Sequence, residues 1–201
     1  MGRNRGFEIA IRNAERGENG EGLKVNYWDI PIKFIPKRST SRSAGYDFSC
    51  AEDVIIPSIW EGISIRILDT VKGFCSRVIG RSNTKDPDGH RFQPITVHTG
   101  IKAYMQEDEV LKLYNRSSGP IKTGLVLSNS VGIVDGDYYG NESNDGEIMF
   151  AFYNLFPWEV KINKGDKIGQ GVFSKFLKAD IDVGGGTRTG GYGSTGGYTE
   201  A

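Results

Sequence analysis

The chain has 201 residues, enough for one domain with a sizeable core. Its 25 acidic and 25 basic residues cancel, which excludes a global field that would attract nucleic acid or an anionic membrane, so any affinity for phosphate must be local. No apolar run approaches the roughly eighteen residues of a membrane span. The start, Met1 to Gly6, lacks the apolar centre of a secretory signal. Cys50 and Cys75 are too few for a disulfide framework, and with His90 and His98 they do not fall at zinc-ligand spacing. Reduced thiols in a cytoplasmic protein are expected.

Strand signals dominate in chain order: Phe7–Ile11, Asp29–Phe34, Asp53–Ile56, Ile63–Ile67, Ile95–Tyr104, Val110–Tyr114, Leu125–Leu127, Glu147–Tyr153 and Gly171–Phe176. These β-branched and aromatic runs are separated by Gly, Pro, Asn and Asp, a pattern that predicts an all-β sandwich or barrel. No window of helical periodicity is long enough to matter, which argues against a parallel α/β sheet. Residues 12–26 are polar and charged and read as a surface loop or arm. Residues 59–93 carry Ile59, Trp60, Ile63, Ile65, Ile67, Leu68, Phe74, Val78 and Ile79 around the turn signal Lys85-Asp86-Pro87-Asp88-Gly89. They read as an ordered, β-rich excursion from a single domain spanning 1–201.

The C-terminal residues 184–201 are the third unusual region. Eight of the fourteen residues 184–197 are glycine, and such sequence cannot hold a rigid element by itself. It nevertheless carries Arg188, Tyr192, Ser194 and Thr195, and amides flanked by glycine can curl into an anion-binding nest. One reading is a flap that orders over a phosphorylated ligand; the other is an inert terminus. It is not a P-loop, because no Lys-Ser/Thr step and no helix follow the glycines.

Four further segments carry polar chemistry. Ala44-Gly45-Tyr46-Asp47 puts a carboxylate after a small-residue turn. Arg116-Ser117-Ser118-Gly119 follows a strand and offers a guanidinium and two hydroxyls. Residues 128–140, Ser-Asn-Ser-Val-Gly-Ile-Val-Asp-Gly-Asp-Tyr-Tyr-Gly, read as a hairpin with two acids and two tyrosines at its far end. Gly165-Asp166-Lys167-Ile168-Gly169-Gln170 is a turn entering the last strong strand. Singly, each is ordinary turn or loop chemistry; together they supply a base, phosphate donors and a stacking ring on one β scaffold.

In this order the five segments resemble the five motifs of the trimeric dUTPases, across residues 40–58 and 95–197. The third, with Phe150-Ala151-Phe152-Tyr153-Asn154, is similar to the variety of Gram-positive bacteria and their phages. Arg81-Ser82 is a decoy for the second motif: it lies 54 positions before Asp135, whereas Arg116 lies 19 before it, as in the family. The fifth motif is one residue shorter between Arg188 and Gly190-Gly191 than in many members. Tyr192 replaces the usual Phe, and Lys167 a common Arg.

The resemblance implies a jelly-roll-like β-sandwich, a homotrimer with the arm at 184–201 closing over a neighbouring site, and hydrolysis of dUTP to dUMP and pyrophosphate with Mg2+. Asp135 would hold and deprotonate the water that attacks the α-phosphorus. Tyr138 would pack beneath the deoxyribose and exclude a 2′-hydroxyl, while Asn129 and the backbone around Gly132 and Val134 would read uracil. Arg116, Ser117, Ser118 and Gln170 would contact the phosphates. Arg188, Tyr192, Gly193, Ser194 and Thr195 would close over the nucleotide. Asp47 would support the site, through water near the metal or by holding the basic groups. Mg2+ would be carried by the triphosphate and water, with no direct protein ligand.

Two alternatives stand beside this. The related dCTP deaminases use a glutamate on the strand equivalent to residues 148–154, where Ala151 stands here. A nucleotide-sensing or partner-binding protein acting through residues 59–93 is the other; neither nucleic acid nor membrane is an expected partner.

Overall fold

Apolar runs this short, each stopped by Gly, Pro, Asn or Asp, can build strands but not long elements. The computed structural model describes residues 3–16, 23–60 and 93–182. Its strands are β1 (Gly6–Ile9), β2 (Ile11–Arg16), β3 (Leu23–Tyr27), β4 (Lys37–Arg38), β5 (Tyr46–Ser49), β6 (Val54–Ile56), β7 (Ile95–His98), β8 (Ile101–Tyr104), β9 (Glu109–Asn115), β10 (Leu125–Leu127), β11 (Gly132–Asp135), β12 (Met149–Asn154), β13 (Val160–Ile162) and β14 (Lys167–Lys175). A short helix, α1 (Gly119–Thr123), lies between β9 and β10.

A five-stranded antiparallel sheet, ordered β11-β9-β14-β5-β4, carries most of the polar motifs. A three-stranded sheet, β10-β12-β7, packs against it, and the pairs β1-β8, β13-β6 and β2-β3 complete an all-β jelly-roll sandwich. The core sits where the two larger sheets meet. Phe48 of β5 and Phe150 of β12 place their ring centroids 5.6 Å apart, and Phe152, two residues on and on the same face, stacks on Phe150 at 6.1 Å. Gly169 of β14 lies beneath the Phe150 ring, which occupies the space any side chain there would need.

The structure corrects four expectations. Residues 29–34 form no strand: Pro31 precedes a 3-10 turn at Ile32–Phe34, and a second proline, Pro36, follows. The run 95–104 is two strands, because Gly100 adopts φ +66° and a Cβ there would lie 2.8 Å from Trp28 Cβ. The break sends β7 and β8 into different sheets. Residues 12–26 are not mainly loop, since β2 and β3 pair from Ile11↔Tyr27 to Arg16↔Leu23. Residues 128–140 are not a hairpin: β10 pairs with β12 and β11 with β9, so the chain crosses between sheets there. The expected strand at 63–67, nearly all of the 59–93 excursion and the 184–201 arm lie outside the described residues.

Candidate functional site: two half-sites on one sheet

Three adjacent strands assemble a basic half-site. β14 pairs with β5 and β9 on either side, so Gln170 registers with Asp47 and with Tyr114. Arg116 leaves the end of β9, and Ser118 immediately precedes α1, whose second residue is Pro120, a proline compatible with a first helical turn. The Gly119 amide donates to the Arg116 carbonyl at 2.9 Å, which tightens this corner. Arg116, Ser118, Lys122 and Lys167 line a cleft of about 370 Å3, and Ser117 is exposed beside it.

Asp47 holds the cations of this half. Its carboxylate accepts from Lys167 Nζ at 2.6 Å and Ser39 Oγ at 2.8 Å, and Arg116 Nε lies 3.7 Å away. Burial pushes its pKa up, but the Lys167 and Ser39 hydrogen bonds, with the charges of Lys167 and Arg116, outweigh burial and hold the carboxyl below its ordinary range. Gln170 donates to the Asn115 carbonyl at 3.2 Å. Such a half-site suits an anion with several oxygens.

The second half-site lies at the other end of β9. β11 alternates in and out: Gly132 and Val134 are buried, Ile133 and Asp135 exposed. Asp135 registers with Val110 and, with Gly136, Asp137, Met105, Gln106, Glu107 and Phe176, lines a separate cleft. Immediately after Asp135, a 3-10 turn (Gly136–Tyr138) swings the Tyr138 ring inward, where it is 9% exposed. Beneath it Glu147, buried at the head of β12, accepts from the Gly100 amide at 2.9 Å and faces His98 Nδ1 at 3.0 Å. The Glu147 hydrogen bond raises the His98 pKa; burial opposes this less strongly. On the outer side, Tyr139 donates to Glu8 at 2.6 Å, and Lys102 pairs with Asp145 at 2.7 Å. The Glu8 hydrogen bond, with burial, pushes the Tyr139 pKa up to about 12.

The fold thus gathers Asp47, Arg116, Ser117, Ser118 and Gln170 at one end and Asp135 and Tyr138 at the other. Val110 and Arg116 are separated by roughly 20 Å of extended strand. Asn129 is exposed in the β10–β11 crossing, three residues before the Gly132↔Leu113 pair, and so on the Arg116 side of β11. The Val134 side chain is in the core, which leaves its backbone to meet a ligand. Arg188, Tyr192, Gly193, Ser194 and Thr195 lie outside the described residues. Sequence reasoning missed Asn141, Asn144, Glu147 and His98. The Asn-x-x-Asn spacing after Tyr-Tyr-Gly was the one available signal, as Asx-turn chemistry; nothing marked Glu147 as a buried carboxylate.

No protein-family model matches the chain. The deoxyuridine 5'-triphosphate nucleotidohydrolase of Lactococcus lactis is 40% identical over 194 residues, covering 96% of this chain and 97% of that protein. The chain belongs to the dUTPase family. The enzyme of that name from Wolinella succinogenes is 28% identical, over 75% of each chain. Among solved structures, the Streptococcus mutans dUTPase superposes with a TM-score of 0.59 at 32% identity, over 88% of this chain and 99% of that one. A mutant dUTPase from phage phi11 of Staphylococcus aureus, which coordinates a structural Mg(II) ion, shares the fold with a TM-score of 0.53 at 16% identity, over 90% and 95% of the two chains. Ala151 is buried on β12 opposite Thr96.

Proposed function

We infer that this protein hydrolyses dUTP to dUMP and pyrophosphate at sites completed by more than one copy of the chain. The observation that carries the reading is the separation of the half-sites. A base and the phosphate donors must meet on one phosphorus within hydrogen-bond reach, yet Asp135 and Arg116 sit at opposite ends of β9 and line different clefts. A neighbouring copy that supplies the complementary half resolves this, and a homotrimer with a closed heterologous interface is the smallest three-fold solution. Ile133, 58% exposed on the Asp135 face of β11, is an apolar side chain suited to cover by that neighbour.

In this reading Asp135 orients the attacking water and takes up its proton as the α-phosphorus bond forms. A carboxylate is a weak base at neutral pH, but pyrophosphate is a good leaving group, so partial deprotonation in the transition state suffices. Most of the rate comes from positioning and charge. Arg116, Ser117, Ser118 and Gln170 bind the phosphates, with Lys167 beside them and Asp47 keeping both cations in place. Tyr138 lies beneath the deoxyribose, and Asn129 with the Gly132–Val134 backbone reads the uracil edge. Arg188, Tyr192, Gly193, Ser194 and Thr195 close the site. Among the described residues no three His, Cys, Asp or Glu side chains converge, and Asp47 is already engaged. An Mg2+ carried by the substrate's phosphate oxygens and water would supply neutralisation of charge on the leaving pyrophosphate. Among the described residues no helix is long and apolar enough to cross a membrane, and a substrate from the intracellular nucleotide pool supports a cytoplasmic site of action. A protein partner for residues 59–93 rests on their apolar sequence alone.

Pyrophosphate release from dUTP, UTP, dTTP and dCTP tests the activity: dUTP should be turned over far faster than the others, and equal rates would overturn the assignment. Mixing tests the shared site. Asp135→Asn and Arg116→Ala should each be inactive, while equal amounts refolded together should recover roughly a quarter of the activity, because random assembly pairs intact halves that often. No recovery would place both halves in one chain.

A further inference from the structure

Resting on the reading that Tyr138 meets the sugar, the loop that follows it shows how the ring is held. The Tyr138 hydroxyl donates to the Glu147 carbonyl at 3.1 Å and accepts from Asn144 Nδ2 at 2.8 Å. Asn144 Oδ1 accepts from Asn141 Nδ2 at 2.8 Å and from the Gly146 amide at 3.2 Å. The same Asn141 Nδ2 donates to the Tyr138 carbonyl at 2.9 Å. One asparagine therefore holds the main chain of Tyr138, the other holds the far end of its ring, and the two are bonded to each other.

This unit is pinned to the sandwich at two further points. Asp145 accepts from the Ile11 amide at 2.8 Å and from Lys102, and the Glu147 carboxylate is bonded to Gly100 and His98. Gly146 has φ +79°, and a Cβ there would lie 2.5 Å from the Tyr138 carbonyl oxygen. The loop can close this tightly only with glycine at that position.

We propose that Asn141 and Asn144 are specificity-determining positioning residues, which hold the Tyr138 ring against the deoxyribose so that a 2′-hydroxyl finds no space. Excluding one hydroxyl requires that the ring not retreat by about 1 Å, and packing alone lets an aromatic ring tilt about its side-chain torsions. Hydrogen bonds at both ends of the residue remove that freedom. Being neutral, they hold with little dependence on salt.

The test is the dUTP-to-UTP ratio of kcat/KM. Asn144→Leu removes the donor at similar volume; Tyr138→Phe removes the hydroxyl and keeps the ring. Each should lower the ratio on the order of tenfold, the scale of one lost hydrogen bond, chiefly through a lower KM for UTP. The double variant should lower it by less than the two single losses combined, since both remove the Asn144–Tyr138 bond. Asn144→Asp loses the donor, but its carboxylate can accept the phenol proton when the hydroxyl turns from the Glu147 carbonyl, so it should retain more selectivity than Asn144→Leu. An unchanged ratio in Tyr138→Phe, or additive losses in the double variant, would overturn the proposal, and Tyr138→Phe serves even if Asn144→Leu fails to fold. Tyr138→Ala separates the proposal from the reading beneath it. If UTP remains rejected in Tyr138→Ala, Tyr138 does not contact the sugar. If Tyr138→Ala admits UTP while Tyr138→Phe and Asn144→Leu do not, only the positioning role falls.

Discussion

The two ends of β9 are built from different kinds of bond. At the Arg116 end the contacts are charged and partly wet: Arg116 and Lys167 are 38% and 48% exposed, and only Asp47 between them is covered, at 14%. At the Tyr138 end they are mostly neutral and half-buried, running through Asn141, Asn144 and backbone carbonyls. The difference fits what the proposed function asks each end to recognise. Phosphates are flexible anions, met adequately by cations that adjust with their water. A sugar lacking one hydroxyl is recognised by shape, and shape has to be held.

The largest effect should come from removing the proposed base, Asp135, at the rigid end. Asp135→Asn preserves volume, so dUTP should still bind while kcat falls by roughly a hundredfold or more. Near-normal turnover in a pyrophosphate-release assay would transfer the role to Asp137. Gly146→Ala should come next. With φ +79° and no room for a Cβ, it should lower stability by about 2 kcal/mol, read as a fall in Tm, and relax the dUTP preference along with it.

A smaller effect concerns His98 and Glu147 beneath Tyr138. The His98 pKa is raised in the folded protein, so its stabilising contribution is fully present below the unfolded value near 6.5 and fades as pH rises through the folded value. Thermal melts should show a modest loss of stability above about pH 6.5, and His98→Gln should flatten that dependence. Asp47, with its pKa lowered, behaves oppositely: its contribution is present above the ordinary 3.8 and is lost as pH falls through the folded value. The smallest effect should separate the two ends by salt. Raising ionic strength from about 0.05 to about 0.5 M should increase KM for dUTP by a fewfold through screening of Arg116 and Lys167, and leave the dUTP-to-UTP ratio unchanged.

Much of the strand content was legible because β-branched and aromatic runs between turn residues are local signals. β9, β10, β12 and residues 171–175 of β14 are of this kind, whereas residues 167–170, read as a turn, already belong to β14. Residues 29–34 misled because their apolar composition resembles a strand, while Pro31 and Pro36 forbid one. The run 95–104 misled in the opposite direction: a single glycine read as tolerable within a strand is where the chain turns from one sheet to another. Of the candidate site, Asp47, Arg116 and Asp135 were readable as residue types after turns or strands. Glu147 was not, since a glutamate at the head of a strand looks solvent-facing until Gly100 and His98 are seen to close over it.

By itself the sequence determined the family, the all-β class and the chemical identity of each motif, because these depend on residue types and on spacing along the chain. Only the tertiary structure decided which of those motifs lie together. Pairing β14 between β5 and β9 brings Asp47 and Gln170 side by side from positions more than a hundred residues apart along the chain, with Arg116 next to them. The antiparallel register of β11 on β9 sends Asp135 to the far end, although it lies only 19 residues from Arg116. The physical reason is that sheet register is set by which side chains pack into the core, here Val134 beside Leu111 and Leu113, and a match of that kind is not written in either strand alone.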